Sequence, residues 1–180
     1  MKDTELRLVS ELMKNSRRSD RDLAKAIGVS QPTVSRMIKK LEKEGIIKEY
    51  TVVPDFCKLG YRLLGLTFVK LKGDLSSEER EKSREAAGIS LGKSSFGIVM
   101  LERGLGLGYD GVIVSFYEDY STYFEHKQVL KQYAFLESAQ ETFLINLEDK
   151  VHYRSFTLST LANHVLMIKQ EKKQKSGENE

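Results

Sequence analysis

The sequence predicts an α+β protein: an N-terminal winged helix-turn-helix domain, then a C-terminal ferredoxin-like βαββαβ domain (an antiparallel sheet) with a C-terminal extension. Three observations carry that prediction. Residues 19–45, SDRDLAKAIGVSQPTVSRMIKKLEKEG, read as two short amphipathic helices meeting at one glycine. Residues 63–147 alternate strand-like and helix-like runs in the order βαββαβ, the succession of a split βαβ plan with both helices on one sheet face. The basic excess is confined to the front of the chain. Residues 1–50 hold 12 Lys+Arg against 8 Asp+Glu, whereas the remainder holds 17 against 18.

Leu6, Val9, Leu12 and Met13 make an apolar stripe that predicts a helix from about Asp3 to Lys14. Ser19 can cap the next helix, with Asp22 reaching back to it, and Leu23 and Ile27 fall on one side at i, i+4 spacing. Gly28 ends that helix because glycine enters the left-handed conformation without steric penalty. Ser30 then opens the following helix. Its hydroxyl can cap the first-turn N–H groups, Pro32 sits where a missing N–H costs nothing, and Val29 and Val34 occupy hydrophobic-staple positions. Val34, Met37, Ile38 and Leu41 gather on one side of this helix, and Pro32, Arg36, Lys39 and Lys43 lie opposite. After Gly45 the β-branched run IIKEYTVV, bounded by Pro54, predicts a wing strand. The domain so defined spans 1–54, and 55–61, punctuated by Asp55 and Gly60, is a linker.

A recognition helix presents its N-terminal residues to base edges, which makes Ser30, Gln31, Thr33, Ser35 and Arg36 the candidate readers. Lys39, Lys40 and Lys43 lie further along and suit phosphates, where a flexible point charge adds grip without reading sequence. A basic helix face is often merely solvated. Here cap, staple, glycine turn and flanking helix coincide with it, and that favours double-stranded DNA as the partner.

In the second domain, 62–158, Leu63–Leu71 is a predicted strand. Ser76 and Glu79 form a capping box that announces a helix ending at Gly88. Phe96–Glu102 and Val112–Tyr117 are strands joined by a flexible glycine-rich connection. A helix follows from about Tyr120 to Leu136, with Tyr123, His126, Leu130 and Tyr133 near one face, and then a strand over Glu141–Leu147. Tyr117, Tyr120, Tyr123 and Phe124 form an aromatic cluster of the kind found at subunit interfaces. Beyond Val151 a further strand is plausible. A short helix over 159–168 is expected to dock on a partner subunit, and 169–180 is too charged to bury anything.

These residues resemble the leucine-responsive and asparagine-regulator (Lrp/AsnC) family of bacterial and archaeal transcription factors. Leu23-Ala24-Lys25, Gly28-Val29-Ser30, Leu41-Glu42-Lys43-Glu44-Gly45-Ile46-Ile47 and Leu59-Gly60 fall in the family's order and spacing across residues 3–60. Gly108-Tyr109-Asp110 resembles the glycine-containing turn before the family's third strand, which implies effector contacts at Gly108, Tyr109 and Asp110. The chain carries Met37 where family members commonly have a second arginine beside Arg36. The resemblance implies a homodimer or larger oligomer on a pseudo-palindromic operator, with half-sites roughly 34 Å or a multiple apart, responding to a small metabolite such as an amino acid. The alternative is a ligand-independent architectural DNA binder whose second domain only oligomerises.

Other chemistries find little support. Cys57 is the single cysteine, so no internal disulfide forms; beside Phe56 it reads as a small core residue, and no leader opens the chain, so a cytoplasmic protein is expected. No apolar run reaches the roughly 20 residues of a membrane span. His126, His152 and His164 are too widely spaced for a zinc pattern, so no metal or cofactor is expected. Gly106–Gly111 matches GxGxxG, but the residues after it alternate as a strand instead of opening a helix toward a pyrophosphate. With no nucleophile or acid–base pair in view, an enzyme is not expected.

Overall fold

The computed structural model describes residues 1–73, 75–92, 96–137, 140–151 and 156–167, which divide into two units. The first comprises residues 1–53 together with a C-terminal helix over 159–167; the second comprises residues 54–151. The expectations for a strand after Val151 and for a charged tail at 169–180 fall largely or wholly outside the described residues.

The first unit holds α1 (Asp3–Lys14), α2 (Asp20–Ile27) and α3 (Gln31–Lys43). Their apolar stripes meet in a core of Leu8, Leu23, Val34 and Leu41, none more than 1% exposed, with Leu12, Ala24 and Ile27 around it. Val29, Met37 and Ile38 pack against that core, as the helical spacing predicts. Ser19 caps α2: its hydroxyl accepts the Asp22 N–H at 3.2 Å and donates to the Asp22 carboxylate at 2.6 Å. Gly28 takes the left-handed conformation (φ 75°) and its N–H donates to the Ala24 carbonyl at 2.9 Å, which stops the helix.

Three expectations in this unit are corrected. The Ser30 hydroxyl meets the Thr33 hydroxyl at 2.8 Å and caps no backbone N–H. Residues 46–53 form no strand, because the Ile46 and Ile47 N–H groups are taken by the Leu41 carbonyl at 2.9 and 3.2 Å. Ile47 packs on the helical core, and the segment occupies the wing position without a ladder partner among the described residues. The C-terminal helix returns to its own chain instead of meeting a partner subunit. There the Ser10 hydroxyl donates to the Ala162 carbonyl at 2.9 Å, both residues fully buried.

The second unit follows the βαββαβ plan: β1 (Leu63–Val69), α4 (Ser77–Gly92), β2 (Gly97–Gly106), β3 (Tyr109–Tyr117), α5 (Tyr120–Lys131) and β4 (Glu141–Asn146). The strand order is β2-β3-β1-β4, antiparallel throughout. Leu66 lies opposite Val114 on one side and Phe143 on the other, and that register fixes which residues share a face. Alternate residues Leu63, Thr67, Val69, Ile113 and Tyr117 are buried on the helix-covered face. Leu64, Leu66, Phe68, Val112, Val114 and Phe116 line the other.

Four boundaries and placements differ from expectation. The Ser76–Glu79 capping box forms reciprocally, but α4 runs through Gly88 to Gly92, since a glycine weakens a helix interior without ending it. The expected flexible connection is a tight hairpin in which Gly106 pairs with Tyr109. Leu107 (φ 54°) and Gly108 (φ 79°) form the two-residue turn, with both central residues left-handed as a type I′ turn requires. Helix α5, capped by Asp119 on the Thr122 N–H, stops at Lys131, and the chain then turns so that Leu136 bridges to Leu71. Cys57 is exposed, its thiol donating to the Leu147 carbonyl at 3.1 Å, and is not a core residue.

Candidate nucleic-acid interface

Because Val34 and Leu41 anchor α3 from beneath, its opposite side stands in solvent: Gln31, Pro32, Arg36, Lys39 and Lys43 are all exposed. The ridge starts at the helix N-terminus, where a peptide dipole favours an anion. Arg36 Nε donates to the Pro32 carbonyl at 3.3 Å, a weak contact at a single guanidinium nitrogen.

The remaining sequence-nominated residues are not equally available. Ser35 is half-buried; its hydroxyl donates to the Asp20 carboxylate on α2 and lies 3.3 Å from the Gln31 carbonyl. Thr33 is half-buried and engaged with Ser30. Lys40 turns away from the ridge: its Nζ lies 2.7 Å from Glu5 Oε1 and 3.6 Å from Glu44 Oε1. Glu5, only 4% exposed, also accepts the Lys2 backbone N–H at 2.6 Å. The Lys40 hydrogen bond, followed by that of Lys2, holds the Glu5 carboxyl below its ordinary value, and the same pairing raises Lys40.

Two cations escape the motif reading. Arg21 and Lys25 are exposed four residues apart on α2, the helix that in such motifs crosses the phosphate backbone. Their i, i+4 spacing was the available signal. Glu5 and Asp20, which restrain Lys40 and Ser35, carry no such signal, since their partners lie 35 and 15 residues away. Behind the ridge, the Tyr50 hydroxyl donates to Glu42 at 3.0 Å and pins the wing-position segment to α3.

In the second unit Gly108, Tyr109 and Asp110 are adjacent but occupied by internal contacts. Gly108 completes the hairpin turn, the Tyr109 ring packs 5.5 Å from Phe68, and Asp110 accepts the Leu71 N–H at 2.8 Å with Arg80 at 3.9 Å. Of the aromatic cluster, Tyr117 is buried while Tyr120 and Phe124 stand exposed.

Residues 1–48 match the winged helix-turn-helix DNA-binding family model. An uncharacterized helix-turn-helix transcriptional regulator of Pyrococcus horikoshii is 33% identical over 102 residues, which cover 57% of this chain and 63% of the relative. The regulator LrpA of Pyrococcus abyssi is 36% identical over 74 residues, 41% of this chain and 52% of LrpA. The chain spans about half the length of most curated relatives it matches. The fold agrees over greater lengths. Bacillus subtilis LrpC superposes with a TM-score of 0.65 over 86% of this chain and 99% of its own, at 23% identity. A Neisseria meningitidis transcriptional regulator solved with L-Met does so with a TM-score of 0.69 over 89% and 99%, at 19% identity.

Proposed function

We propose that this Lrp/AsnC-like chain is a sequence-specific DNA-binding transcriptional regulator that works as a homodimer or larger oligomer in the cytoplasm. The observation that carries the reading is the exposed basic ridge of α3, held by a buried core and starting at a capped helix N-terminus. Arg36 reads a base edge, with Gln31 beside it; Ser30, Thr33 and Ser35 line the approach; Lys39, and Lys40 once released from Glu5, take phosphates. Arg21 and Lys25 add phosphate contacts from α2.

What supports pairing is the sheet face that no helix covers. Phe143 and Ile145 stand exposed beside Leu64, Leu66, Val114 and Phe116, an apolar surface on an antiparallel sheet that a second copy would bury. Two-fold pairing places two α3 helices on successive major-groove faces of a pseudo-palindromic operator. Response to a small metabolite such as an amino acid is supported by the likeness to a regulator solved with L-Met.

Selection of bound fragments from random duplex DNA tests the central reading. Enrichment of pseudo-palindromes with half-sites about one helical turn or a multiple apart is the expected result. Binding without any sequence enrichment would leave only an architectural role.

A further inference from the structure

We propose that the second unit holds a binding site for a small apolar amine, between α4 and the covered face of the sheet. This site lies wholly outside the DNA-binding unit, so the inference stands apart from the reading above.

The first observation is how little α4 gives to the core. Across SEEREKSREAAGISLG, Ala87 is the residue packed against the apolar cluster, while Ile89 points out at 62% exposure. The sheet and the segment after α5 nevertheless present a full apolar wall: Val69, Leu101, Ile113, Tyr133, Phe135 and Leu136. Between wall and helix lies a cavity of about 330 Å³, floored on the α4 side by Ala87 and Gly88. Protein interiors close voids much larger than a water because an unfilled apolar wall forfeits dispersion contacts. A space of this size falls instead in the range of small-molecule sites, roughly 300–1,000 Å³.

The rim decides the ligand's charge. Glu81, Glu85, Glu102 and Asp110 line the mouth with Arg103. Arg103 lies 3.9 Å from Glu81 and Arg80 lies 3.9 Å from Asp110, so four carboxylates face two guanidinium groups. A cation is drawn to this mouth and a carboxylate is repelled. On the wall, the Tyr133 and Phe135 rings lie 5.4 Å apart, a surface suited to an aromatic or branched aliphatic body. The ligand class is therefore one apolar group bearing a protonated amine and lacking a carboxylate, which separates this site from one for amino acids.

The test titrates the full chain with 2-phenylethylamine and with 3-phenylpropionate, by calorimetry and by methyl shifts of Leu101 and Ile113. Saturable amine binding that moves those methyls is expected, with the carboxylate at least about tenfold weaker. Ala87→Phe should fill the cavity, hold or raise Tm, and weaken the amine by about tenfold or more, the factor corresponding to ~1.4 kcal/mol. Glu85→Gln with Glu102→Gln should narrow the gap between the two probes. Absence of saturable amine binding to the unaltered chain, equal binding of both probes, or methyl shifts that persist in a folded Ala87→Phe protein would each overturn the proposal.

Discussion

Lys40 Nζ sits 2.7 Å from Glu5 Oε1, so the recognition helix is tied at its middle to the first helix of the chain through a carboxylate that is almost fully buried. A cation that sequence alone assigns to a phosphate thus has a partner already. Glu5→Gln removes the charge and releases Lys40. Duplex affinity should rise at low salt and the salt slope should steepen by about one counterion, while stability near neutral pH falls. The pH dependence has a definite sign. A carboxyl held below its ordinary 4.5 in the folded state adds stability that is complete above 4.5 and is lost as pH falls through the lower folded value. Denaturant titrations below pH 4.5 should therefore show a shallower acid loss in Glu5→Gln than in the unaltered protein.

Arg36 and Lys39 are both exposed on α3 but lie at different distances from its N-terminus, and their losses should differ. Arg36→Ala should cost about 1–3 kcal/mol on a selected operator and little on random duplex. Lys39→Ala should weaken both alike and reduce the salt slope by about one. Fluorescence anisotropy across a salt series measures both quantities, and identical behaviour of the two variants would remove the distinction between reader and anchor.

The uncovered sheet face gives a third expectation. Phe143 is 65% exposed and lies opposite Leu66, which itself lies opposite Val114. Phe143→Asp should leave the fold intact by circular dichroism and shift the protein toward monomer by light scattering. An unchanged mass would place the pairing surface elsewhere.

Under α5, His126 accepts or donates a 2.7 Å hydrogen bond through Nδ1 with the Tyr117 hydroxyl, and Phe96 stacks on its ring at 4.5 Å. Burial holds its pKa down at about 4, against an ordinary 6.5. As pH falls below 6.5 the unfolded chain takes up a proton that the folded chain refuses, so stability declines until the folded imidazole protonates near 4. Urea midpoints between pH 7 and 4.5, above the Glu5 window, should fall in the unaltered protein. They should stay nearly flat in His126→Gln.

Much of this architecture was legible beforehand, for identifiable reasons. Ser19, Gly28 and the Val34–Leu41 stripe act through neighbours within one or two turns, so their roles are written in local spacing. The order of strands and helices was likewise set by runs of alternating residues. What spacing could not supply was long-range partnership: Glu5 with Lys40, Asp20 with Ser35, Ser10 with Ala162. The wing strand failed for a related cause, since β-branched residues specify an extended chain only when another strand supplies a ladder. The helix cap at Gly88 failed because glycine permits a helix end without requiring one.

At the hairpin tip, Leu107 holds a left-handed backbone while its side chain is 84% exposed. Such a conformation costs a branched residue roughly 1–2 kcal/mol, and this side chain recovers little by burial. Leu107→Asn keeps the turn geometry and relieves that strain. Thermal or chemical melts should show a gain of about 1 kcal/mol, and a loss would mean that the leucine makes a contact in an assembly.

The hydrogen bond from Ser10 to Ala162 has a bearing on how the protein can be cut. The sheet-bearing unit is spliced into the DNA-binding one, leaving it after residue 53 and rejoining it before 159. Truncation at the first junction, the usual way to isolate a reader, would strip the helix that covers Ser10 and leave a buried hydroxyl facing water. A faithful fragment needs both ends of the chain, with a short loop in place of everything between them.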